Sequence, residues 1–113
     1  MINIIVLNPC YENSTFEGAE IKVYNIDING EVALDLTGST IIMNMVKDGD
    51  IYKVYSTENE TLTIDTNKII IPSSIVDLKE GVYTFDFDVT LENGIRLTGF
   101  GAGSWTILKP ITV

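Results

Sequence analysis

The ten residues from Val82 to Leu91 alternate between two sets of side chains, and this alternation constrains the fold more than any other feature. One set is apolar throughout and consists of Tyr83, Phe85, Phe87, Val89 and Leu91. The other set is mostly polar and includes Asp86 and Asp88. A repeat of two residues predicts a strand with one buried face, because a helix would place the aspartates beside the aromatic rings. The chain is therefore expected to build its core around this strand.

Tight turns separate this strand from its neighbours along the chain. Asn93-Gly94 predicts a type I′ hairpin turn, because both residues tolerate a positive φ. Asn29-Gly30 is a second signal of the same kind, and Lys47 to Asp50 predicts a further tight turn. A third hairpin is expected around residues 65–67.

The spacing of these turns predicts an all-β, immunoglobulin-like antiparallel β-sandwich of about eight to ten short strands. A single domain is expected to cover residues 1–113, since a chain of this length can bury roughly two-thirds of its unfolded surface. One helical turn is predicted near residues 73–78, capped by Ser73 or Ser74. Leu78-x-x-Gly81-x-Tyr83 has the spacing of a tyrosine corner, in which the phenol bonds back to the preceding loop.

Both ends of the chain are apolar. Residues Ile2 to Leu7 predict a first strand that Asn8-Pro9 ends, and Trp105 to Val113 predicts a last strand that Pro110 marks as an edge or as bent. Such strands can pair with another chain or within the monomer, and the sequence leaves both possibilities open.

Charge and composition exclude several classes of function. The net charge is −9, with seven Lys and Arg residues in all, so binding to nucleic acid or to an anionic membrane is not expected. No apolar run approaches the ~20 residues that span a bilayer, and the N-terminus lacks the basic flank of a signal peptide. The single Cys10 cannot form an internal disulfide, and the absence of His leaves no ordinary base beside a nucleophile. We therefore expect no enzyme activity.

Three short motifs are compatible with a site, and each has a simpler structural explanation. Asp86 and Asp88 could bind a cation but are expected to solvate the outside of the sheet. Asp48-Gly49-Asp50 resembles part of a calcium loop, but Asn59 occupies the position of the final acidic ligand. Gly99, Gly101 and Gly103 are expected to serve strand packing rather than phosphate binding. No catalytic, cofactor-binding or metal-binding residue is predicted.

Four aromatic residues suggest an alternative function. Tyr24, Tyr52, Tyr55 and Trp105 could line a platform, in which case the chain would be a carbohydrate-binding module. Such residues more often pack under loops, and packing is the preferred interpretation.

Two stretches carry a resemblance to a known family. One begins with Asp35-Leu-Thr-Gly38 and runs to Gly49, and the other runs from Leu78 through Gly81-Val-Tyr83 to Asn93-Gly94 and on to Thr112. Together they resemble small β-sandwich domains of bacteriophage virion structural proteins, such as the N-terminal domains of baseplate upper proteins and fibres, or free-standing capsid decoration proteins. The resemblance covers roughly Asp35 to Val113, and its motifs consist mostly of turn residues.

The resemblance implies a non-enzymatic virion protein without cofactors. Its partners would be other phage structural proteins, with self-association, and it would be made in the host cytoplasm and attached to capsid, neck, tail or baseplate. No fibre shaft is expected after Val113. The resemblance therefore implies docking or decoration rather than receptor binding.

Overall fold

The described part of the chain consists of strands and connecting loops, without helices. The computed structural model describes residues 3–28, 30–97 and 101–110. The strands are β1 Asn3–Tyr11, β2 Thr15–Phe16, β3 Ala19–Lys22, β4 Tyr24–Asp27, β5 Gly30–Ala33, β6 Thr40–Lys47, β7 Asp50–Ser56, β8 Thr63–Asp65, β9 Lys68–Ile71, β10 Ser74–Ile75, β11 Gly81–Thr90, β12 Arg96–Leu97 and β13 Gly101–Leu108. The predicted all-β sandwich is confirmed.

One layer of the sandwich is a six-stranded sheet, called the large sheet below. Its strands follow the order β1-β13-β11-β6-β7, and β12 pairs with the last residues of β11. The other layer is made of smaller sheets with the orders β3-β9-β8, β10-β2 and β4-β5. Strand β11, which the alternation predicted, lies in the middle of the large sheet.

The core lies between the two layers and contains the predicted apolar set. Tyr83, Phe85, Phe87 and Val89 are buried, and Leu91 packs against the cluster from its edge. The neighbouring strands add Ile41, Met43, Met45, Tyr55, Leu7, Trp105 and Ile107. The smaller sheets and their loops supply Phe16, Val23, Leu36, Leu62, Ile69, Ile71, Val76 and Leu78. The rings of Phe16 and Trp105 lie 4.8 Å apart and join the layers.

The predicted helical turn at residues 73–78 is wrong. Ser74 and Ile75 form β10, which pairs with β2, and the Val76 N–H donates to the Ser14 carbonyl at 2.8 Å. Val76 and Leu78 are both buried while Asp77 between them is accessible. Buried side chains two residues apart are typical of an extended chain, in which alternate residues face the core. Burial of Val76 and Leu78 therefore determined the local structure more than the helix-capping tendency of the serines did.

The prediction that Asn8-Pro9 ends the first strand is also wrong. β1 continues to Tyr11 through a register shift between Leu7 and Cys10, which accommodates the proline. β1 pairs with β13 in parallel orientation, so this pair departs from the predicted antiparallel arrangement. The described parts of the two apolar ends therefore pair with each other within the monomer, and β13 lies inside the sheet rather than at its edge.

The turns differ in type from the predictions. The Gly94 N–H donates to the Leu91 carbonyl at 2.8 Å, and Gly94 has φ of 90°, whereas Asn93 is not in the positive-φ region. This is a three-residue hairpin loop closed by a glycine, not the predicted type I′ turn. Asp48 and Gly49 both have positive φ and form the type I′ turn. Of the second predicted turn, Asn29 lies outside the described residues, and Gly30 pairs with Asp27.

The predicted tyrosine corner is present. The Tyr83 hydroxyl donates to the Lys79 carbonyl at 2.8 Å, and the side chain is buried. Burial raises the pKa of the Tyr83 phenol, because the anion would lose its hydration. The corner fixes the loop that leads into β11.

Replacing Tyr83 by phenylalanine is expected to lower the free energy of unfolding by about 1–2 kcal/mol, since the Lys79 carbonyl loses its donor. A raised pKa in the folded state means that the native protein holds the proton longer, so the parent loses stability as pH rises above about 10. The Tyr83→Phe protein should lose less stability than the parent over that pH range. Urea unfolding at neutral and alkaline pH measures both effects, and an equally steep alkaline loss in both proteins would contradict this role.

Candidate functional site

The outer face of the large sheet, meaning the side turned away from the core, is a regular surface built by five long strands. One row of paired residues crosses its five long strands: Val6, Ser104, Thr84, Val46 and Ile51. None of these side chains carries a charge. Val82 lies two residues from Thr84 on the same face and is 59% exposed, while Val6 and Ile51 are 71% and 60% exposed.

A bulge in β7 determines which side chains reach this face. The register shifts between Met45 and Val46, so that Ile51 pairs with Val46 while Lys53 pairs with Met45. Tyr52 turns towards the core side, where its ring meets the Tyr83 ring edge-on at 5.8 Å. The bulge thus places an isoleucine rather than a tyrosine on the outer face.

Beside this row, the outer face carries charged side chains on β11 and β12. Asp88 accepts two hydrogen bonds from Arg96, at 2.9 Å from Nε and 2.7 Å from the terminal nitrogen. This pairing raises the pKa of Arg96. Asp86 is exposed on the same face. The two aspartates thus lie on the solvent side of the strand, as the alternation predicts.

A polar groove of about 470 Å³ lies at one end of the sandwich. It is lined by Asp35, Thr37, Ser39, Leu91, Glu92 and Asn93. The turn that contains Asp35 to Gly38 therefore lies beside the hairpin loop that ends β11. Two of the motifs behind the family resemblance meet here.

Hydrogen bonds within the turn hold the groove in shape. Asp35 Oδ1 accepts from the Thr37 hydroxyl at 2.6 Å and from the Thr37 N–H at 2.9 Å, and these bonds lower the pKa of Asp35. The Glu92 carboxylate lies against Gly38, where an added Cβ would meet it at 2.8 Å. Among the described residues, only the Ser39 hydroxyl is buried without a hydrogen-bond partner.

The remaining motifs from the sequence occupy structural positions. Asp48-Gly49-Asp50 forms the hairpin between β6 and β7. Gly103 lies where an added Cβ would overlap the Ile5 carbonyl and the Phe85 ring, which explains that glycine; Gly99 lies outside the described residues. Cys10 is a free, half-buried thiol within β1. The described residues contain no group of three or more carboxylate or thiol side chains placed to hold a metal ion.

The four aromatic residues considered as a platform do not form one surface. Tyr55 and Trp105 are buried in the core, and the Trp105 indole donates to the Asn8 carbonyl at 2.9 Å. Tyr24 and Tyr52 are exposed, but they lie on β4 and β7 in different sheets.

The residues of the outer-face row could not be found from the sequence alone. Val6, Val46 and Ser104 belong to segments far apart in the chain, and only the register of four strand pairs brings them together. The available signal was weak, because the outward residues of β11 include Asp86 and Asp88 as well as Val82 and Thr84.

Comparison with models of known protein families gives no match, and comparison with the curated proteins gives none either. Within the described residues there is no helix long and apolar enough to cross a membrane.

Proposed function

We propose that this chain is a non-enzymatic structural protein of a bacteriophage particle, acting as a β-sandwich docking module on the capsid, neck, tail or baseplate. It acts by shape: the outer face of the large sheet packs against a neighbouring protein of the particle. No chemical step is part of this function.

The uncharged row across the outer face is the observation that carries the proposal. The chain has 16 acidic residues, yet the row from Val6 to Ile51 has none. Beside the row, Asp88 is already paired with Arg96, and the exposed Asp86 would lie at the rim of the contact. Burying an unpaired charge in an interface is costly, and the centres of protein interfaces are depleted of charged residues. A row of threonine, serine, valine and isoleucine side chains therefore suits burial against another protein.

The acidic residues outside this face support the same function in a different way. Like charges keep copies in solution apart and disfavour contact through the acidic surfaces. Contact through the outer face avoids most of this repulsion. The partner surface is expected to be uncharged and largely apolar at its centre, with basic residues at its rim.

The residues that carry the family resemblance support the phage assignment. Asp35 to Gly38 forms a turn with an internal hydrogen-bond network, Tyr83 forms a corner, and Gly94 closes the hairpin after β11. The turns at Asp35 to Gly38 and at Gly94 are what the resemblance implies for those motifs, whereas the corner at Tyr83 was expected from its spacing alone.

Adding a carboxylate to the outer face tests the proposal. Val82→Asp should reduce binding to particles that lack the chain by about tenfold or more, because the new charge would be buried in the contact. Its stability should change by less than about 1 kcal/mol, since Val82 is exposed. Binding is measured by co-sedimentation with particles purified from a strain in which the gene is deleted.

Ile75→Asp is the matched control. Ile75 is 60% exposed, close to the 59% of Val82, but it lies on β10 in the other layer. Both substitutions add the same charge. Equal binding by the parent and the two variants, or no binding by the parent, would contradict the proposed function.

A further inference from the structure

The outer edge of β5 has no neighbouring strand among the described residues. Strands β4 and β5 pair only with each other within that part of the chain, and all four residues of β5 are exposed. Ile28, in the connecting loop, is fully exposed, and Val32 is 50% exposed. A two-stranded hairpin by itself is only marginally stable in water, so an additional strand would stabilise this ribbon.

The register determines which backbone groups of β5 are free. The Leu34 N–H donates to the Val23 carbonyl at 3.1 Å, and the pairing continues from Tyr24 with Ala33 to Asp27 with Gly30. Bonded and non-bonded pairs alternate along an antiparallel ladder. Val32 therefore directs its N–H and C=O towards β4, whereas Glu31 and Ala33 direct theirs outward.

The two edges of the large sheet are better protected than the edge of β5. β1 contains Pro9 and a register shift, and β7 contains a bulge and Lys53, which pairs with Asp77 at 2.7 Å. Proline, bulges and lysine are the devices that prevent edge strands from pairing with other chains. β5, with the sequence Gly-Glu-Val-Ala, has no proline, bulge or lysine, and its protection is limited to its short length and the charge of Glu31.

We propose that β5 pairs with β5 of a second copy of this chain, antiparallel and about a two-fold axis at Val32. In this register Glu31 lies opposite Ala33 of the second copy, and the outward N–H and C=O groups of these residues form four hydrogen bonds. Val32 faces Val32 of the second copy in the close, non-bonded pair. The product is a continuous four-stranded sheet.

The sequence of β5 favours a second copy as the occupant. When the two-fold axis passes through Val32, the outward N–H and C=O groups of Glu31 in each copy face those of Ala33 in the other copy. All the outward backbone groups of Glu31 and Ala33 are then hydrogen-bonded. The same register keeps Glu31 away from Glu31 of the second copy and places an alanine opposite it, which avoids like charges directly across the pair. The inference deepens the proposed function by naming one partner, and it can be tested on the purified protein without particles.

Ala33→Pro tests the hydrogen bonds. The Ala33 N–H is not used within the hairpin, so a proline at this position leaves the β4–β5 ladder intact. In the dimer it removes two of the four intermolecular hydrogen bonds, one from each copy, and adds a ring at the contact. We expect the parent to form a reversible dimer in sedimentation velocity and the variant to dimerise about thirtyfold more weakly. Ala33→Ser, which keeps the N–H, is the matched control and should dimerise like the parent.

A charge exchange at Val32 tests the two-fold register and does not depend on the proline variant folding. Val32→Lys alone and Val32→Glu alone should each weaken the dimer, since like charges would then face each other. An equal mixture of the two should form the heterodimer. A parent that stays monomeric at the highest soluble concentration, or a dimer that survives both Ala33→Pro and Val32→Lys, overturns the inference.

The outcomes for β5 and for the outer face are separable. If Ala33→Pro still binds particles while Val82→Asp does not, the docking function stands whatever the oligomeric state. If Val82→Asp removes the dimer and Ala33→Pro leaves it intact, the second copy uses the outer face and the β5 pairing is wrong.

Discussion

Replacing Phe85 by alanine is expected to lower the free energy of unfolding by about 3–5 kcal/mol. Phe85 is 3% exposed and lies on the central strand of the large sheet, with its ring edge-on to Phe87 at 5.7 Å between centroids. Truncation removes apolar surface from the middle of the core and leaves a cavity that β6 and β13 cannot fill, because both are held by continuous ladders to β11. Equilibrium denaturation in urea measures the loss.

Thr84→Ala is the control for Phe85→Ala. Thr84 is the next residue on the same strand but lies on the outer face, and its loss should cost less than about 1 kcal/mol. Because a shift of one residue would exchange the two faces, equal losses at Phe85 and Thr84 would contradict the register of β11.

Replacing Gly103 by alanine is expected to cost about 3 kcal/mol, at the upper end of the usual penalty for overpacking. Gly103 pairs with Phe85 on one side and with Ile5 on the other. An added methyl group would overlap the Ile5 carbonyl oxygen and the Phe85 ring. The ring can move, but the carbonyl belongs to a paired strand, so β1 would have to separate from β13.

A double-mutant cycle with Phe85→Leu separates the two clashes. With leucine at position 85, Gly103→Ala should lower the free energy of unfolding by less than it does in the parent. The loss that remains is the contribution of the clash with the β1 backbone. Gly49→Ala is the control for an added methyl group. Gly49 has open space around the position of a Cβ but φ of 82°, so this substitution should lower the free energy of unfolding by only about 1 kcal/mol. A Gly103→Ala protein as stable as the parent would contradict the parallel pairing of β1 with β13.

The features that depend on a few neighbouring residues could be predicted from the sequence. The period of two in β11 identified the buried side chains, because alternation follows from strand geometry alone. The corner at Tyr83 was predictable for a similar reason, since its partner is the carbonyl of Lys79, four residues away.

The features that depend on distant segments could not be predicted. Ser74 and Ile75 became a strand because β2 offers them backbone partners, which outweighed a local capping signal. β1 passed beyond Pro9 because β13, almost a hundred residues away in sequence, continues to pair with it as far as Tyr11. Turn residues indicated where the hairpins lie but not their exact type, as at Gly94.

The candidate surfaces belong to the second group. For Tyr55 and Trp105 the sequence left a binding platform open beside the preferred interpretation of packing, and the burial of both residues agrees with packing. The outer-face row exists only because five strands align uncharged residues. The open edge of β5 exists because β5 pairs with β4 alone among the described strands. Neither property can be read from any one segment.

The central claim is that this chain is a structural protein of a phage particle, and its most direct test is the copy number of the chain in purified particles of a phage whose genome encodes it. Quantitative mass spectrometry against an isotope-labelled standard gives the ratio of this chain to the major capsid protein. A docking module should be present at a fixed number of copies that matches the symmetry of its attachment site, and purified protein added to deletion particles should restore that number and then saturate. Absence from particles washed at high salt, or binding that never saturates, would contradict a structural role in the virion.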